Sequence, residues 1–433
     1  MIHIDKGPEP RELVEHRASS PEATYADFRG NDALLESAAV PEPLQLLRNA
    51  ELYDPTPQGR RDLLCGGGHV LAIADHLDPL PPQLGCVEHD LGGAIVVPGL
   101  VDAHVHVTGG GGEAGFSSRV PPLRCTELSL AGVTSVVGLL GTDGTTRTIR
   151  ELVARTYGLR EEGLSAWCWT GSYTVPVTTL TGSVRDDLVF VEPVLGVGEL
   201  ALSDHRSSQP TLHELLRVAS DVHVGGMISG KAGVLHLHLG DGSRGLDLVR
   251  RALETTELPG QVFHPTHVNR NPALFDEALA LAEALGRRGP CIDVTAFPEH
   301  DVGDGLSAAA AIAAWHRAGL PPAQLTCSSD GGGCMPCFDA DGRIERFGVG
   351  QCTTLLETLR AAVHEHGLSL PQVLPCLTRN VAGLLRLRGK GELLAGSSAD
   401  LLVLGPDLTL RDTMAGGRWL VRNGRAVVTG PFE

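Results

Sequence analysis

Short apolar, β-branched runs alternate with longer amphipathic stretches along most of the chain. The short runs predict strands, and stretches with apolar positions every three or four residues predict helices. The predicted strands are residues 94–107, 133–140, 165–170, 194–202, 234–239, 261–268, 291–296 and 324–328. The predicted helices are 149–162, 212–220, 246–255, 273–285, 308–318, 351–366 and 371–385. Strands alternating with helices in this way predict an α/β protein built on a (β/α)8 TIM barrel.

The two flanks of this pattern differ from it. Residues 1–44 are rich in Pro, Glu, Arg and Ser, and they predict an extension with one helix near 31–39. Short β runs separated by Gly- and Pro-rich turns occupy 45–95, and similar runs return in 389–433. We therefore expect these two segments to form one small β-sandwich domain beside a barrel of residues 96–388.

Composition narrows the class of protein. Of the 433 residues, 42% are hydrophobic and 20% are charged, which is typical of a soluble protein with a large core. The net charge of −17 argues against nucleic acid or an anionic membrane as a partner. No apolar run reaches the roughly 18 residues of a membrane helix. The N-terminus lacks the apolar core of a signal peptide. We read the ten cysteines as reduced thiols, so a cytoplasmic location is expected.

Polar side chains collect where the predicted barrel strands end, which is where barrel enzymes carry out their chemistry. His104 and His106 share one face of the first strand and precede a run of four glycines. Buried ionisable groups are costly unless they are paired or bind a metal, so chance is a poor explanation for the whole set. His238 is nearer the loop than His236, so we assign it to the metal and leave His236 as a packed core histidine. The candidate ligands, enough for two Zn²⁺ ions, are His104, His106, Glu199, His238, His267 and Asp330.

Several spaced motifs resemble the amidohydrolase superfamily and, within it, the isoaspartyl (β-aspartyl) dipeptidase family. They are PGLVDAHVHVTGGGGEAG, GVTSVVGLLGTDG, TGSYTVP, SDHRS, HLGD, PTHVNRN, SSDGGG and the tail GKGELLAGSSADLLVL. The likeness extends from about residue 46 to the C-terminus. It implies metal ligation by His104, His106, His238, His267 and Asp330, and substrate contacts by Glu113, Thr142, Tyr173, Arg206 and Arg270.

The implied substrate, a β-aspartyl dipeptide, has one ammonium and two carboxylates. Glu113 suits the ammonium, while Arg206 and Arg270 suit the carboxylates because guanidinium groups bind them in a fork. Taken one at a time, these residues would more simply be a solvated Glu and surface ion pairs. The resemblance also implies a homo-oligomer such as an octamer.

Two positions depart from the family pattern. Glu199 aligns with a lysine whose carbamate bridges two metals, and Lys6, Lys231 and Lys390 lie elsewhere in the predicted fold. A glutamate offers a similar bidentate group, so we expect Glu199 to bridge two zinc ions, with a single-metal site as the competing outcome. Cys334 aligns with a serine that helps to hold a substrate carboxylate, and a thiol is the weaker donor. We expect Cys334 and Cys337 to be unpaired thiols, rather than a redox pair or a stray metal site.

The resemblance implies zinc-dependent hydrolysis by a metal-activated hydroxide. Asp330 would act as general base and then acid, and Tyr173 would stabilise the developing oxyanion. One alternative is another amidohydrolase acting on a cyclic amide or an N-acyl amino acid. Another is a non-catalytic relative that binds a metal or an acidic ligand. The preferred leaving residue is not predicted.

Overall fold

The structure, a computed structural model, describes residues 43–297, 305–338 and 344–433. The predicted helix near 31–39 and nearly all of the predicted extension therefore lie outside the described residues. In chain order the strands are β1 (Gln45–Tyr53), β2 (Pro57–Gly66), β3 (His69–Ala74), β4 (Val87–Asp90), β5 (Ile95–Pro98), β6 (Leu100–Val105), β7 (Val133–Gly138), β8 (Ser165–Thr170), β9 (Val194–Leu202), β10 (Val234–Leu239), β11 (Phe263–Thr266), β12 (Ile292–Thr295), β13 (Leu325–Ser328), β14 (Cys334–Phe338), β15 (Ile344–Val349), β16 (Leu401–Leu404), β17 (Leu410–Ala415), β18 (Arg418–Arg422) and β19 (Arg425–Ala426).

The α-helices follow the strands, and several of them begin with a side-chain cap. Thr148, Thr211 and Asn271 each accept a hydrogen bond from a backbone N–H in the first turn of their helix. The helices are α1 (Cys125–Ser129), α2 (Ile149–Glu161), α3 (Val184–Phe190), α4 (Leu212–Ser229), α5 (Asp247–Thr255), α6 (Pro272–Leu285), α7 (Ala308–Arg317), α8 (Thr354–His364), α9 (Leu370–Leu377) and α10 (Arg379–Leu384).

Parallel strands form the larger part of the fold. Over the described residues, β6 to β11 make a curled sheet in the order β11-β10-β9-β8-β7-β6, and β12 pairs with β13. The backbone N–H of His106, just after β6, donates to the Gly331 carbonyl oxygen at 2.7 Å, just after β13. The strands are buried on both faces, as parallel sheets are when helices cover them. This arrangement brings the C-terminal ends of the strands together.

A second sheet combines the two ends of the described chain. It has nine strands within the described residues, in the order β19-β18-β17-β16-β5-β1-β2-β3, with β4 also paired to β1. Strand β5 runs parallel to β1 and antiparallel to β16, and so joins the N-terminal and C-terminal segments. This sheet has its own apolar cluster, which includes Leu52, Leu63, Val96 and Met414.

The predicted barrel strands match the observed ones closely, but the first prediction was wrong in one respect. The run 94–107 is two strands, β5 and β6, which belong to different sheets. Between them, the Gly99 N–H donates to the Asp400 carbonyl oxygen, and a Cβ at Gly99 would overlap the Thr134 side chain. The predicted helix 371–385 is likewise two helices, α9 and α10, and 212–220 extends to Ser229. Among the described residues, no helix is both long enough and apolar enough to cross a bilayer.

Candidate metal centre and active site

The six predicted metal ligands meet at the C-terminal ends of the parallel strands. His104 lies in β6 and His106 follows it, Glu199 lies in β9 and His238 in β10, His267 follows β11, and Asp330 follows β13. His104 and Glu199 are fully buried. His267 and Asp330 have positive φ values of 61° and 54°. Non-glycine residues in this backbone region are uncommon and cluster at functional sites.

The Glu199 carboxylate lies close to the rings of four histidines. Its Oε1 lies 3.4 Å from His106 Nε2, and its Oε2 lies 3.6 Å from His104 Nε2. The same Oε2 also lies 3.0 Å from His238 Nδ1 and 3.5 Å from His267 Nε2. Asp330 Oδ1 is 3.1 Å from His106 Nε2 and 3.3 Å from His104 Nε2.

These atoms fit a metal. Three sets of potential ligand atoms each lie within 4.8 Å of one another: those of His104, His106 and Glu199, those of Glu199, His238 and His267, and those of His104, His267 and Asp330. His104 Nε2, Glu199 Oε1 and Asp330 Oδ1 are buried without a hydrogen-bond partner. Buried polar atoms are rarely left unpartnered, and these face one another. Imidazole nitrogens and carboxylate oxygens are ligands of Zn²⁺.

Three of the histidines are held from behind by a second polar group. His238 Nε2 lies 2.9 Å from Asp204 Oδ2, and His267 Nδ1 lies 2.7 Å from Thr295 Oγ1. His104 Nδ1 lies 2.8 Å from His236 Nε2. Such contacts fix the tautomer and the orientation of a metal-binding imidazole. Asp204 and Thr295 are not among the residues predicted from the sequence. The position of Asp204 in the SDHR motif, directly after β9, was the available signal.

The electrostatics of the cluster follow from burial and from close opposite charges. Burial alone would raise the pKa of the Glu199 carboxyl, but His104, His238 and His267 outweigh it and hold that pKa well below its ordinary value. Burial likewise opposes ionisation of Asp330, yet His104 and His106 lower its pKa. Burial lowers the pKa of His267 to about 3, so its imidazole is neutral and able to bind a cation.

A cavity of about 720 Å³ opens over this cluster, and the predicted substrate residues line it. Glu113 Oε1 accepts a hydrogen bond from Thr142 Oγ1 at 3.0 Å and pairs with Arg206 Nη1 at 3.3 Å. Arg206 is also held by Asp204, with its Nη2 2.8 Å from Asp204 Oδ2. Arg270 lines the same cavity, and its Nε is buried without a partner.

Tyr173 and Cys334 complete the predicted set. The Tyr173 hydroxyl lies 2.9 Å from His238 Nδ1, and burial together with Glu199 raises its pKa well above the ordinary value, so the phenol stays protonated. Cys334 also lines the cavity. Burial raises its pKa to about 11, so it is a neutral thiol. The side chain of Cys337 lies outside the described residues.

The glycine run forms a tight loop that carries Glu113. A Cβ at Gly109 (φ 80°) would lie 2.0 Å from the Val120 carbonyl oxygen, so only glycine fits there. The buried guanidinium of Arg147 donates to the carbonyl oxygens of Thr108, Gly110 and Val120. Arg147 was not predicted from the sequence. It lies just before α2, and the carbonyl oxygens that it holds are at least 27 positions away in the chain.

Neither described lysine contacts the cluster. Lys231 Nζ donates to the Val191 carbonyl oxygen at 2.6 Å, and Lys390 Nζ pairs with Asp400 at 2.6 Å. Lys6 lies outside the described residues. Of the described residues, Glu199 and not a lysine therefore occupies the position among the four histidines.

The chain is similar to known proteins over most of its length. Residues 95–420 match the amidohydrolase family. A β-aspartyl dipeptidase from the thermophilic, keratin-degrading Fervidobacterium islandicum AW-1, solved in complex with a β-Asp-Leu dipeptide, is 38% identical, with a TM-score of 0.81 over 88% of this chain and 98% of that one. A second structure of β-aspartyl dipeptidase from the same organism is 37% identical over the same shares, with a TM-score of 0.79.

A more distant structure shares the fold alone. It is an N-isopropylammelide isopropylaminohydrolase from Burkholderia multivorans, 18% identical, with a TM-score of 0.61 over 89% of this chain and 100% of that one. The family match covers the curled parallel sheet and the strand ends where the histidines and carboxylates meet. The chain therefore belongs to the amidohydrolase family of hydrolases and is similar within it to β-aspartyl dipeptidases.

Proposed function

We propose that this protein hydrolyses β-aspartyl (isoaspartyl) dipeptides with the help of two zinc ions bridged by Glu199. One observation carries the proposal: the Glu199 carboxylate lies within 3.6 Å of a ring nitrogen of each of His104, His106, His238 and His267. Similarity to β-aspartyl dipeptidases at 38% identity supports the choice of substrate class.

The lining of the cavity supports a small zwitterionic substrate. Glu113 would pair with the α-ammonium, and Thr142 would hold Glu113 in place. Arg206, Arg270 and the Cys334 thiol would bind the two carboxylates. Since Glu113 and Arg206 pair with each other at 3.3 Å, a substrate must replace their mutual contact by its own opposite charges.

The chain's own groups would carry the protons. Zinc, when bound by His104, His106, Glu199, His238, His267 and Asp330, would acidify water and polarise the scissile carbonyl. Asp330 would take a proton from the attacking water and deliver it to the departing amine. The protonated Tyr173 hydroxyl would donate a hydrogen bond to the oxygen on which negative charge develops. Burial keeps bulk water from competing for these contacts.

The test is hydrolysis of β-Asp-Leu beside α-Asp-Leu by zinc-replete protein, with the Asp330→Asn variant as the blank for contaminating peptidases. Cleavage of the β isomer alone is expected. If zinc binds and neither isomer is cleaved, the proposal fails, and a cyclic amide or an N-acyl amino acid becomes the substrate to test. Equal cleavage of both isomers also contradicts it.

A second proposal concerns how the chain is divided into domains. We propose that the parallel strands close into a (β/α)8 barrel spanning 96–388 and that 45–95 with 389–433 form a β-sandwich domain. The pairing of β5 with β16 supports a domain built from both segments, and it extends the N-terminal segment of that domain to Pro98. A cytoplasmic location, a homo-oligomer and a thiol role for Cys334 in substrate binding stand as further proposals.

A further inference from the structure

A line of buried polar side chains continues from His104 into the core of the fold. His104 Nδ1 lies 2.8 Å from His236 Nε2, and His236 Nδ1 lies 2.9 Å from His264 Nδ1. His264 Nε2 lies 2.8 Å from Thr326 Oγ1, which donates to Asp293 Oδ1 at 2.7 Å. All five residues are fully buried. The line runs away from the cavity, so it does not touch substrate.

The hydrogen bonds at Asp293, the end of the line farthest from His104, fix which atom donates and which accepts in every contact along it. The Asp293 carboxylate accepts hydrogen bonds from Thr326 and also from the hydroxyls of Thr266 and Ser328, at 2.7 and 2.6 Å. The Thr326 hydroxyl has one proton and donates it to Asp293. Its oxygen must therefore accept a hydrogen bond from His264 Nε2–H. A neutral imidazole with a proton on Nε2 carries a lone pair on Nδ1. His264 Nδ1 therefore accepts from His236 Nδ1–H.

Because a neutral imidazole has one N–H and one lone pair, the same reasoning fixes the donor and the acceptor between His236 and His104. His236, with its proton on Nδ1, has a lone pair on Nε2 and accepts from His104 Nδ1–H. In the neutral form that can bind a metal, His104 with its proton on Nδ1 presents the lone pair of Nε2, the atom that faces Glu199 and Asp330. Both intermediate imidazoles are fully buried, and burial lowers the pKa of His264 to about 4, so that ring carries a single proton.

We propose that His236, His264 and Thr326 are positioning residues that, anchored on Asp293, hold His104 in the tautomer whose Nε2 lone pair points at the metal site. This inference rests on the proposed metal site. It gives His236 a role beyond packing, although the ring also stacks on Trp169 with centroids 5.2 Å apart. Groups that orient a ligand from behind typically contribute 10- to 100-fold in metal affinity.

The test uses two substitutions at one position. Thr326→Val keeps the shape and removes the hydroxyl, while Thr326→Ser keeps the hydroxyl and removes a methyl group. Zinc affinity is measured by competition with a chromophoric chelator. We expect Thr326→Val to weaken zinc binding by about 10- to 100-fold and Thr326→Ser to stay within about threefold of the parent chain. A packing role would give the reverse order. Thr134→Val is the control, because the Thr134 hydroxyl is buried and has one long contact, 3.5 Å, to the Leu100 carbonyl oxygen.

A second readout does not depend on zinc. Magic-angle-spinning NMR of the zinc-free chain, labelled with ¹⁵N at histidine, reports which ring nitrogen carries each proton. The parent chain and Thr326→Ser should show His264 protonated on Nε2, and Thr326→Val should lose this preference. Unchanged histidine tautomers in Thr326→Val, or equal zinc binding by all variants, would overturn the inference while leaving the metal site intact. Failure of the parent chain to bind zinc would instead overturn the proposed function.

Discussion

The floor and the rim of the cavity are built differently. On the floor, Glu199, His238 and His267 are buried, and Glu199 and Asp330 each keep an oxygen without a hydrogen-bond partner. On the rim, Glu113 and Arg206 are partly exposed and satisfy each other. The unpartnered atoms of the floor can therefore bind a cation without breaking a contact. A substrate that binds at the rim must first break the ion pair between Glu113 and Arg206. Substitutions on the floor should change metal binding and kcat, and those on the rim should change KM.

The largest effect should come from Asp330 on the floor. Asp330→Asn removes the base and weakens a ligand, so we expect kcat for β-Asp-Leu to fall by about 10³-fold or more. Thermal unfolding followed by circular dichroism serves as the control that the fold is retained. A residual rate within tenfold of the parent chain would mean that another group moves the proton.

The next effect tests the rim. Arg206→Met removes a charge-assisted contact to a substrate carboxylate, so KM should rise by about 10- to 100-fold with little change in kcat. The matched control is Arg250→Met on α5, which loses an ion pair to Glu277 away from the cavity. A fall in kcat with unchanged KM would assign Arg206 to the chemistry instead.

Asp204 connects floor and rim, since its Oδ2 lies 2.9 Å from His238 Nε2 and 2.8 Å from Arg206 Nη2. We expect Asp204→Asn to weaken zinc binding by about tenfold and also to raise KM. Zinc competition and steady-state kinetics measure the two effects separately. A change in only one of them would show that floor and rim are independent at this point.

The smallest effect is expected at Cys334. Cys334→Ser restores a stronger donor beside the cavity, and KM should fall by about two- to fivefold. The same substitution at Cys86, which directly precedes β4 of the nine-stranded sheet, should leave KM unchanged. A rise in KM would show that the thiol suits the substrate better than a hydroxyl does.

The sequence predicted that the residues of the floor lie close together, because the signals that mark them are local; their binding of a metal stays a prediction. Each candidate ligand lies in an apolar strand or shortly after one, and parallel strands place such positions at one end of the sheet. The break at Gly99 was missed because an apolar run continues across it, although the two halves pair with different sheets. The short helices α1 and α3 were missed for want of a periodic pattern.

The supporting contacts could not be predicted in the same way. His104 meets His236 across 132 positions, and Thr326 meets His264 across 62. Nothing in the sequence near His264 or Asp293 distinguishes them from other buried polar residues. Their roles emerge only when neighbouring strands bring donors and acceptors into register.

The number of metal ions per active site tests the central claim most directly. Metal-free protein is titrated with zinc while hydrolysis of β-Asp-Leu and bound zinc are followed together, with Glu199→Gln in parallel. We predict full activity at two zinc ions per chain, and about one tightly held ion with little activity in Glu199→Gln. Full activity of the parent chain at one zinc ion per chain would contradict a bridging role for Glu199.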